Sequence, residues 1–474
     1  MRVTTIDRFA PAPGTVVQWA VDATASTGVA SAIPPSFNQS HHLASAAADP
    51  AGESTWLAAS FDVDGPVDLK AIERAFLALI ARHGTLHSSF VRDGARVARY
   101  LHDPADLQVV AAPPRSLTTV SAVRDALREG LRRACTPFGG PGCHLATIDR
   151  ADRSTILCGF DHAHVDAYSM AIVIDDLARL YEGYRAEPGA FDPRVLAPAA
   201  SFVDYCAEEA GDDRDFSRHP GMDRWIEFFT RHDRRPPEFP LDLGLAPGER
   251  ARQAVDVRAL LGPHDTATFA ASCAESGSSV YAGILAAMAH TVRDLGGGAQ
   301  MPVLFPMHTR RSRRWENAMG WFTTNAPVTI TVEADLPATI ARAGPAVREA
   351  VALGEVPIPR VLEAIGGLQA GRTDIFMVSY VDYRRLPGAH AHRLLDAHHI
   401  SNVTSADDAQ FWISRTEDGL FLRTRHPDTD VARTTMGAFL DGVGRHATRE
   451  TRRHETAPTG RHASRRVTTD EGDH

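Results

Sequence analysis

Asp161-His162-Ala163-His164-Val165-Asp166-Ala167-Tyr168-Ser169 is the stretch from which the rest of the chain is read. It lies between an apolar run, Ser154 to Phe160, and a helix-like stretch from Met170 to Tyr184. A histidine followed by a carboxylate just after a strand can supply a base and the group that orders its surroundings. The same letters spell His162-x-His164-x-Asp166, and on a strand those side chains would share one face, as metal ligands do. What the protein does turns on which of these readings the rest of the chain supports.

Working outward, Leu145–Ile148 and Thr155–Phe160 read as paired strands leading into the histidine stretch. Upstream, Thr15–Val21 and Trp56–Asp64 alternate as strands. Asp68 is a candidate N-cap for a helix that places Leu69, Ile72, Ala75, Phe76, Leu79 and Ile80 at helical spacing. Ser88–Val91 and Val97–Leu101 are strand candidates, and Val120–Cys135 is an amphipathic helix. Glu187–Pro198, rich in Pro, Gly and Ala, marks a boundary between a first domain, residues 1–190, and a second, residues 191–446.

The second half predicts helices around Phe202–Glu209, Trp225–Thr230 and Ser278–Leu295. Its strand candidates are Val303–Pro306, Ala326–Val332 and Ile375–Val381, with a hairpin turning at Asp418-Gly419. Residues 447–474 are polar, basic and without periodicity, and are expected to form a disordered tail.

A length of 474 residues fits two domains, and 43% hydrophobic with 23% charged residues is ordinary for a globular protein. Fifty basic against 59 acidic residues, a formal charge of −9, argues against a general nucleic-acid or membrane-surface binder. Lys70 is the sole lysine, a compositional bias to which no function attaches. Five cysteines without a C-x-x-C pair fit a reducing compartment better than a disulfide framework. Neither a secretory leader nor an apolar run long enough to span a bilayer is expected, so the predicted location is cytoplasmic.

For the metal reading, the H-x-H-x-D-H pattern of metallo-β-lactamase-like hydrolases lacks its closing histidine, Ala167 standing there. His219 and His232 lie in no context that suggests further ligands. A serine-hydrolase elbow is absent, since Gly277-Ser278-Ser279-Val280-Tyr281 reads better as a helix start. No P-loop or G-x-G-x-x-G occurs. In the acid–base reading, His162 takes a proton from an attacking hydroxyl or amine, and Asp166 shapes the loop through a buried ion pair with an arginine.

The His162-x-x-x-Asp166 pair resembles the H-H-x-x-x-D-G motif of the condensation-domain superfamily. That superfamily holds nonribosomal peptide condensation domains, polyketide-associated acyltransferases and chloramphenicol-acetyltransferase-like enzymes. Other segments match in the same order. Pro35-Ser36-Phe37-Asn38-Gln39 resembles the opening motif, and Arg82-His83-Gly84-Thr85-Leu86-His87-Ser88-Ser89-Phe90 the R-H-E-x-L-R-T-x-F motif. Met319-Gly320-Trp321-Phe322-Thr323-Thr324-Asn325 resembles the G-x-F-V-N-T motif, and Gly354-Glu355-Val356-Pro357-Ile358 the later Q-D-x-P-F stretch.

The resemblance, over about residues 35–445, implies an α/β (α+β) chain of two chloramphenicol-acetyltransferase-like lobes. These would form a V-shaped pseudo-dimer with a central tunnel. It implies that His162 is catalytic and Asp166 structural, with Arg310, or its neighbour Arg311, as the aspartate's partner. Ala167, Asn325 and Trp321 become oxyanion or tunnel candidates, and His83 and His87 structural residues.

Two departures stand out. Asp161 replaces the first histidine and puts a carboxylate beside the base, which is able to raise its pKa. Ala167 replaces the glycine but keeps a backbone N–H able to serve an oxyanion, as long as the turn does not demand a positive φ.

The activity implied is a free-standing acyltransferase moving an acyl group from a coenzyme A or carrier-protein thioester to a small-molecule hydroxyl or amine. No cofactor beyond the thioester is expected; any carrier protein acts in trans, and a monomer is the default. Two other readings stay open: a catalytically silent recruitment domain for a carrier protein or partner enzyme, and a zinc metallohydrolase using the H-x-H-x-D letters.

Overall fold

Alternation along Trp56–Asp64 sends Leu57, Ala59, Phe61 and Val63 to one face of a sheet, and the helix Leu69–Arg82 lies across that face. This helix starts where Asp68 accepts the backbone N–H groups of Lys70 and Ala71, at 2.9 and 3.0 Å. It buries Ala71, Ile72, Ala75, Phe76, Leu79 and Ile80. Beside it packs the helix Ala167–Ala186, which follows the histidine stretch. Val120–Ala134 covers the opposite face of the sheet through Val123, Leu127 and Leu131.

In the computed structural model, which describes residues 1–23, 28–49, 52–94, 96–369 and 371–456, the chain is mixed α/β with two large sheets. The first has eight strands. Across it run Arg2–Thr5, His398–Ser401, Trp56–Asp64, Arg153–Asp161, Cys143–Asp149, Gly14–Asp22 and Gln108–Ala111, and Arg115–Leu117 also pairs with Gly14–Asp22. The second has seven, in the order Thr323–Thr331, Gln300–His308, Met377–Asp382, Gln410–Thr416, Gly419–Pro427, Ala251–Leu261 and Ser405–Ala406. Helices Val280–Asp294, Leu336–Leu353 and Asp430–Thr456 bury the second sheet's apolar face. A small sheet, Val29–Ala30 with Arg96–Leu101 and Ser88–Asp93, stands apart.

One strand crosses between the halves. His398–Ser401 comes from late in the chain yet lies in the first sheet, pairing His399 with Ala59 and Ser401 with Leu57. The Glu187–Pro198 stretch carries one short turn of 3₁₀ helix, Pro193–Val195, between the helices Ala167–Ala186 and Phe202–Ala210.

The composition-based tail needs correction. Residues 447–456 continue the last helix to Thr456, burying Ala447, Glu450 and Thr451. Glu450 accepts the Ser272 hydroxyl at 2.5 Å and Arg453 at 2.6 Å, so a polar sequence is held by paired charges and side-chain hydrogen bonds. The remainder, 457–474, lies outside the described residues. Among the described residues, all five cysteines are free and buried, and no helix is long and apolar enough to cross a membrane.

Candidate active site

The strand Arg153–Asp161 delivers the motif to the end of the first sheet, where His162–His164 forms a single 3₁₀ turn. Asp161 caps that turn by accepting the Ala163 N–H at 2.9 Å, and the His162 N–H donates to the Thr55 carbonyl at 2.9 Å. The chain then enters the helix Ala167–Ala186 at Asp166, whose carboxylate accepts the Ser169 N–H at 2.8 Å as N-cap. A carboxylate at a helix N-terminus is favoured by the unsatisfied N–H groups and the helix dipole.

Asp166 is also where the halves meet. Arg310 donates to it twice, at 2.6 and 3.1 Å, and the Phe322 N–H adds a third bond at 3.1 Å. Arg310 itself is 6% exposed and lies between the Tyr168 and Phe322 rings, 4.4 Å from each centroid. Arg311 turns away to the Gly354 carbonyl at 2.6 Å. Although burial pushes the other way, Arg310 and the Ser169 bonds hold the Asp166 carboxyl below the usual carboxylate range.

This ion pair sets the position of the Met319–Asn325 segment. Ser169 Oγ bridges Gly320 at both its carbonyl, 3.1 Å, and its N–H, 3.2 Å. Trp321 then lies on His162, ring centroids 3.9 Å apart at 32°. Gly320 has an ordinary φ and is required for space, because an added Cβ would come within 2.3 Å of the buried Phe202 ring. Gly320→Ala is expected to cost about 1–3 kcal/mol, read as a lowered urea midpoint, with activity falling as Trp321 shifts.

The His162 ring is partly buried, and its Nδ1 has no hydrogen-bond partner in another residue. Among the described residues, no side chain bonds Nε2 either, so that nitrogen is open to a ligand. The two histidine-stretch partners point elsewhere. His164 bonds Thr85 through Nδ1 at 3.1 Å and stacks on Phe90, and Asp166 faces Arg310. Thus His162, His164 and Asp166 diverge rather than converge as a ligand set. The one described group of close potential ligands is His264, Asp265 and Glu455, near the last helix.

The geometry places this loop at a junction of two lobes, and the comparisons give it a family. A model of the condensation domain matches residues 29–379. The chain belongs to the condensation-domain family. It is similar to "Acyltransferase PapA3" of Mycobacterium tuberculosis, 26% identical over 461 residues, covering 93% of this chain and 94% of that protein. It is similar also to "2'-acyl-2-O-sulfo-trehalose (hydroxy)phthioceranyltransferase PapA1" of the same organism, 28% identical, covering 91% and 85%. Among solved structures, "PapA2 acyl transferase" superposes with a TM-score of 0.85 at 24% identity, covering 95% of this chain and 100% of that one. The first condensation domain of the calcium-dependent antibiotic synthetase does so at 0.66 and 18%, covering 89% and 97%. This condensation-domain protein is an acyltransferase.

In this condensation-domain chain the other candidate residues fall as follows. Ala167 is the first residue of its helix and has no positive φ, so its N–H is one of those left without an intrahelical acceptor. Asn325 lies on the strand Thr323–Thr331 opposite Pro306, and among the described contacts none joins it to the His162 ring. His83 is buried against Asp176 at 2.9 Å, and His87 bonds the His102 carbonyl at 3.1 Å.

The Asp161 charge pushes the His162 pKa up, but it does not decide it. The Asp161 carboxylate is taken up by His42 Nε2 at 2.9 Å and the Ser54 hydroxyl at 2.7 Å. Burial, then the His42 ring, lowers His162 to about 4, outweighing the Asp161 charge.

His42 was not visible from sequence. It sits on the helix Phe37–Ala48, where Ser36 and Gln39 form a capping box, a signal readable as S-x-x-Q. One turn earlier on the same helix, Asn38 donates to the Thr323 carbonyl at 2.6 Å and Gln39 to the Ala163 carbonyl at 2.8 Å. This helix therefore holds the motif turn from beneath while gripping the second half.

The depressed histidines set two pH responses. With a pKa of about 4, the His162 imidazole is largely neutral from about pH 5 upward and free to accept a proton there. A mechanism with His162 as base puts the acid limb of kcat/KM near pH 4, with no inflection at 6.5; a half-loss at 6.5 would contradict it. For stability, His144, His162, His164 and His392 lie at about 4 and His399 at about 3. The unfolded chain protonates them near 6.5 while the fold does not. Stability is therefore complete above 6.5 and falls as pH drops from 6.5 toward 4. Urea midpoints at pH 7.5 and 5.0 would show the loss.

Proposed function

We propose that this acyltransferase moves an acyl chain from a coenzyme A or carrier-protein thioester directly to a hydroxyl of a sugar or lipid acceptor, with His162 as general base. The observation that carries this reading is the open Nε2 of a neutral imidazole, packed against Trp321 at the place where Arg310 of the second half locks the motif loop. No cofactor beyond the thioester is needed for such a step.

The acceptor O–H gives its proton to Nε2 as the oxygen attacks the thioester carbonyl. The resulting oxyanion accepts from the Ala167 N–H, with Asn325 as a second candidate donor. Collapse expels the thiolate, which takes the proton back from the imidazolium, leaving ester, thiol and neutral His162. Among the described residues, no serine or cysteine side chain bonds the His162 ring, so the step is written without an acyl-enzyme, and holding both substrates together supplies much of the rate.

The names of the relatives suggest the acceptor class. PapA1 bears the name of an acyltransferase acting on an acylated sulfo-trehalose, and PapA2 that of a trehalose-2-sulfate acyltransferase. We therefore place this chain in lipid biosynthesis, acting on a disaccharide-type hydroxyl, as a cytoplasmic monomer whose carrier protein, if used, binds in trans.

The test is thiol release from a panel of acyl-CoA and acyl-pantetheine thioesters with pooled sugar, alcohol and amine acceptors, products identified by mass. Acceptor-dependent release with ester formation is expected. Absence of turnover across the panel, with carrier proteins still bound, would instead favour the recruitment reading.

A further inference from the structure

A cavity of about 590 Å³ lies between the two sheets, and His162 is not among the residues that line it. Ser60 and Thr155 of the first sheet face Val257, Ser414, Phe421 and Arg423 of the second across it. The strand register explains that wall. Arg423 pairs with Val257 on one side and Trp412 on the other, while Phe421 pairs with Ser414. Paired residues in antiparallel strands share a face, so these side chains all point the same way.

Arg423 is the anomaly. Buried arginines are usually matched by carboxylates, because removing a charge from water is costly. Arg423 is only 6% exposed, yet among the described residues it makes no ion pair. One of its nitrogens donates to Ser401 Oγ at 2.9 Å, its Nε has no partner, and the guanidinium rests 4.6 Å from the Trp412 centroid.

The other arginines of this cavity differ. Arg2 pairs with Asp396 at 3.1 Å, Arg8 approaches Asp256 at 3.7 Å, and Arg150 approaches Asp62 at 3.9 Å. Among the described residues, a single hydrogen bond thus engages the five N–H donors of Arg423. Burial pushes its pKa down to about 10, as expected of a cation lacking its counter-charge.

The geometry points to an anion-binding subsite: the Arg423 guanidinium holds a sulfate or phosphate group of a ligand that occupies the cavity between the sheets. A planar fork of donors matches such tetrahedral oxyanions, and the neighbouring Ser414 hydroxyl faces the same space. Arg423 also reaches the first sheet, through its bond to Ser401, which pairs with Leu57 of the strand Trp56–Asp64. That the bound group belongs to a substrate rests on the acyl-transfer reading above; that an anion binds there does not.

Two sources could bring this chemistry, a sulfated or phosphorylated acceptor or the phosphates of the thioester donor. Titration calorimetry of wild type and Arg423→Met with inorganic sulfate, at constant ionic strength and without turnover, tests the site. Loss of the charge-assisted bonds is expected to weaken sulfate binding about 10- to 100-fold. Equal affinity in both proteins overturns the subsite. A selenate soak of wild-type crystals serves if the variant does not fold. An anomalous peak within hydrogen-bond distance of Arg423 supports the proposal, and its absence at saturating selenate overturns it.

Paired titrations then name the source. A preference for a sulfated sugar over its plain parent that disappears in Arg423→Met assigns the anion to the acceptor. A preference for coenzyme A over its 3′-dephospho form that disappears assigns it to the donor. Sulfate binding that depends on Arg423 in a protein without thiol release would refute the acyl-transfer reading and leave the subsite standing.

Discussion

His162→Ala is expected to lower acceptor-dependent turnover by about 10²–10⁴-fold, the usual contribution of a positioned acid–base group, while leaving the fold in place. The small structural cost follows from the ring's surroundings. Its Nδ1 bonds no other residue, it is partly open, and its main contact is the Trp321 face. Removing it breaks no ion pair and strands no partner. The neighbouring anchors, His42 on Asp161 and Arg310 on Asp166, remain. Residual activity in the variant is expected too, since substrate positioning survives. Thiol release and a circular-dichroism melt on the same samples check both halves. Unchanged turnover would remove His162 from the mechanism, and a collapsed melt would make it structural.

Arg310→Met is expected to have the larger effect on stability, about 3–5 kcal/mol, because it leaves the Asp166 carboxylate buried without its counter-charge. Asp166 is 5% exposed and its Oδ2 would retain the Phe322 N–H alone. Asp166→Asn strands the cation instead, between two aromatic rings. The double variant Asp166→Asn/Arg310→Met is expected to be less destabilised than the sum of the singles, since neither charge is then orphaned. Urea midpoints of the four proteins close the cycle, and strictly additive losses would show that the pair is not coupled. Turnover is expected to fall in every variant of this set, because Gly320 and Trp321 take their position from Ser169 and Phe322, which bond Asp166 and Arg310.

Much of the architecture could be read directly. Trp56–Asp64, Leu69–Arg82 with its Asp68 cap, and Val120–Ala134 all carry strong local periodicity, and their bounds agree with the reading closely. The strand His398–Ser401 carries no such signal. Four residues, two of them histidine, form a strand only because the edge of Trp56–Asp64 is there to pair with. The end of the last helix was missed for a related reason. Arg449 to Thr456 looks like solvated tail until Ser272 and Arg453 are seen to satisfy Glu450.

The motif letters, by themselves, determined the family, the mixed α/β class and the identity of His162, Asp166 and Arg310 as residues to examine. They could do so because spacing within a strand–turn–helix is local, and a short segment specifies it. Three things were decided by tertiary structure alone. Arg310 rather than Arg311 meets Asp166, the His42 imidazole takes the Asp161 charge that adjacency alone would have assigned to His162, and Arg423 is left buried without a carboxylate. Each depends on which side chains distant in sequence share a low-dielectric space. Charge energies there are set by burial and by partners across the fold, neither of which a neighbour in the sequence reveals.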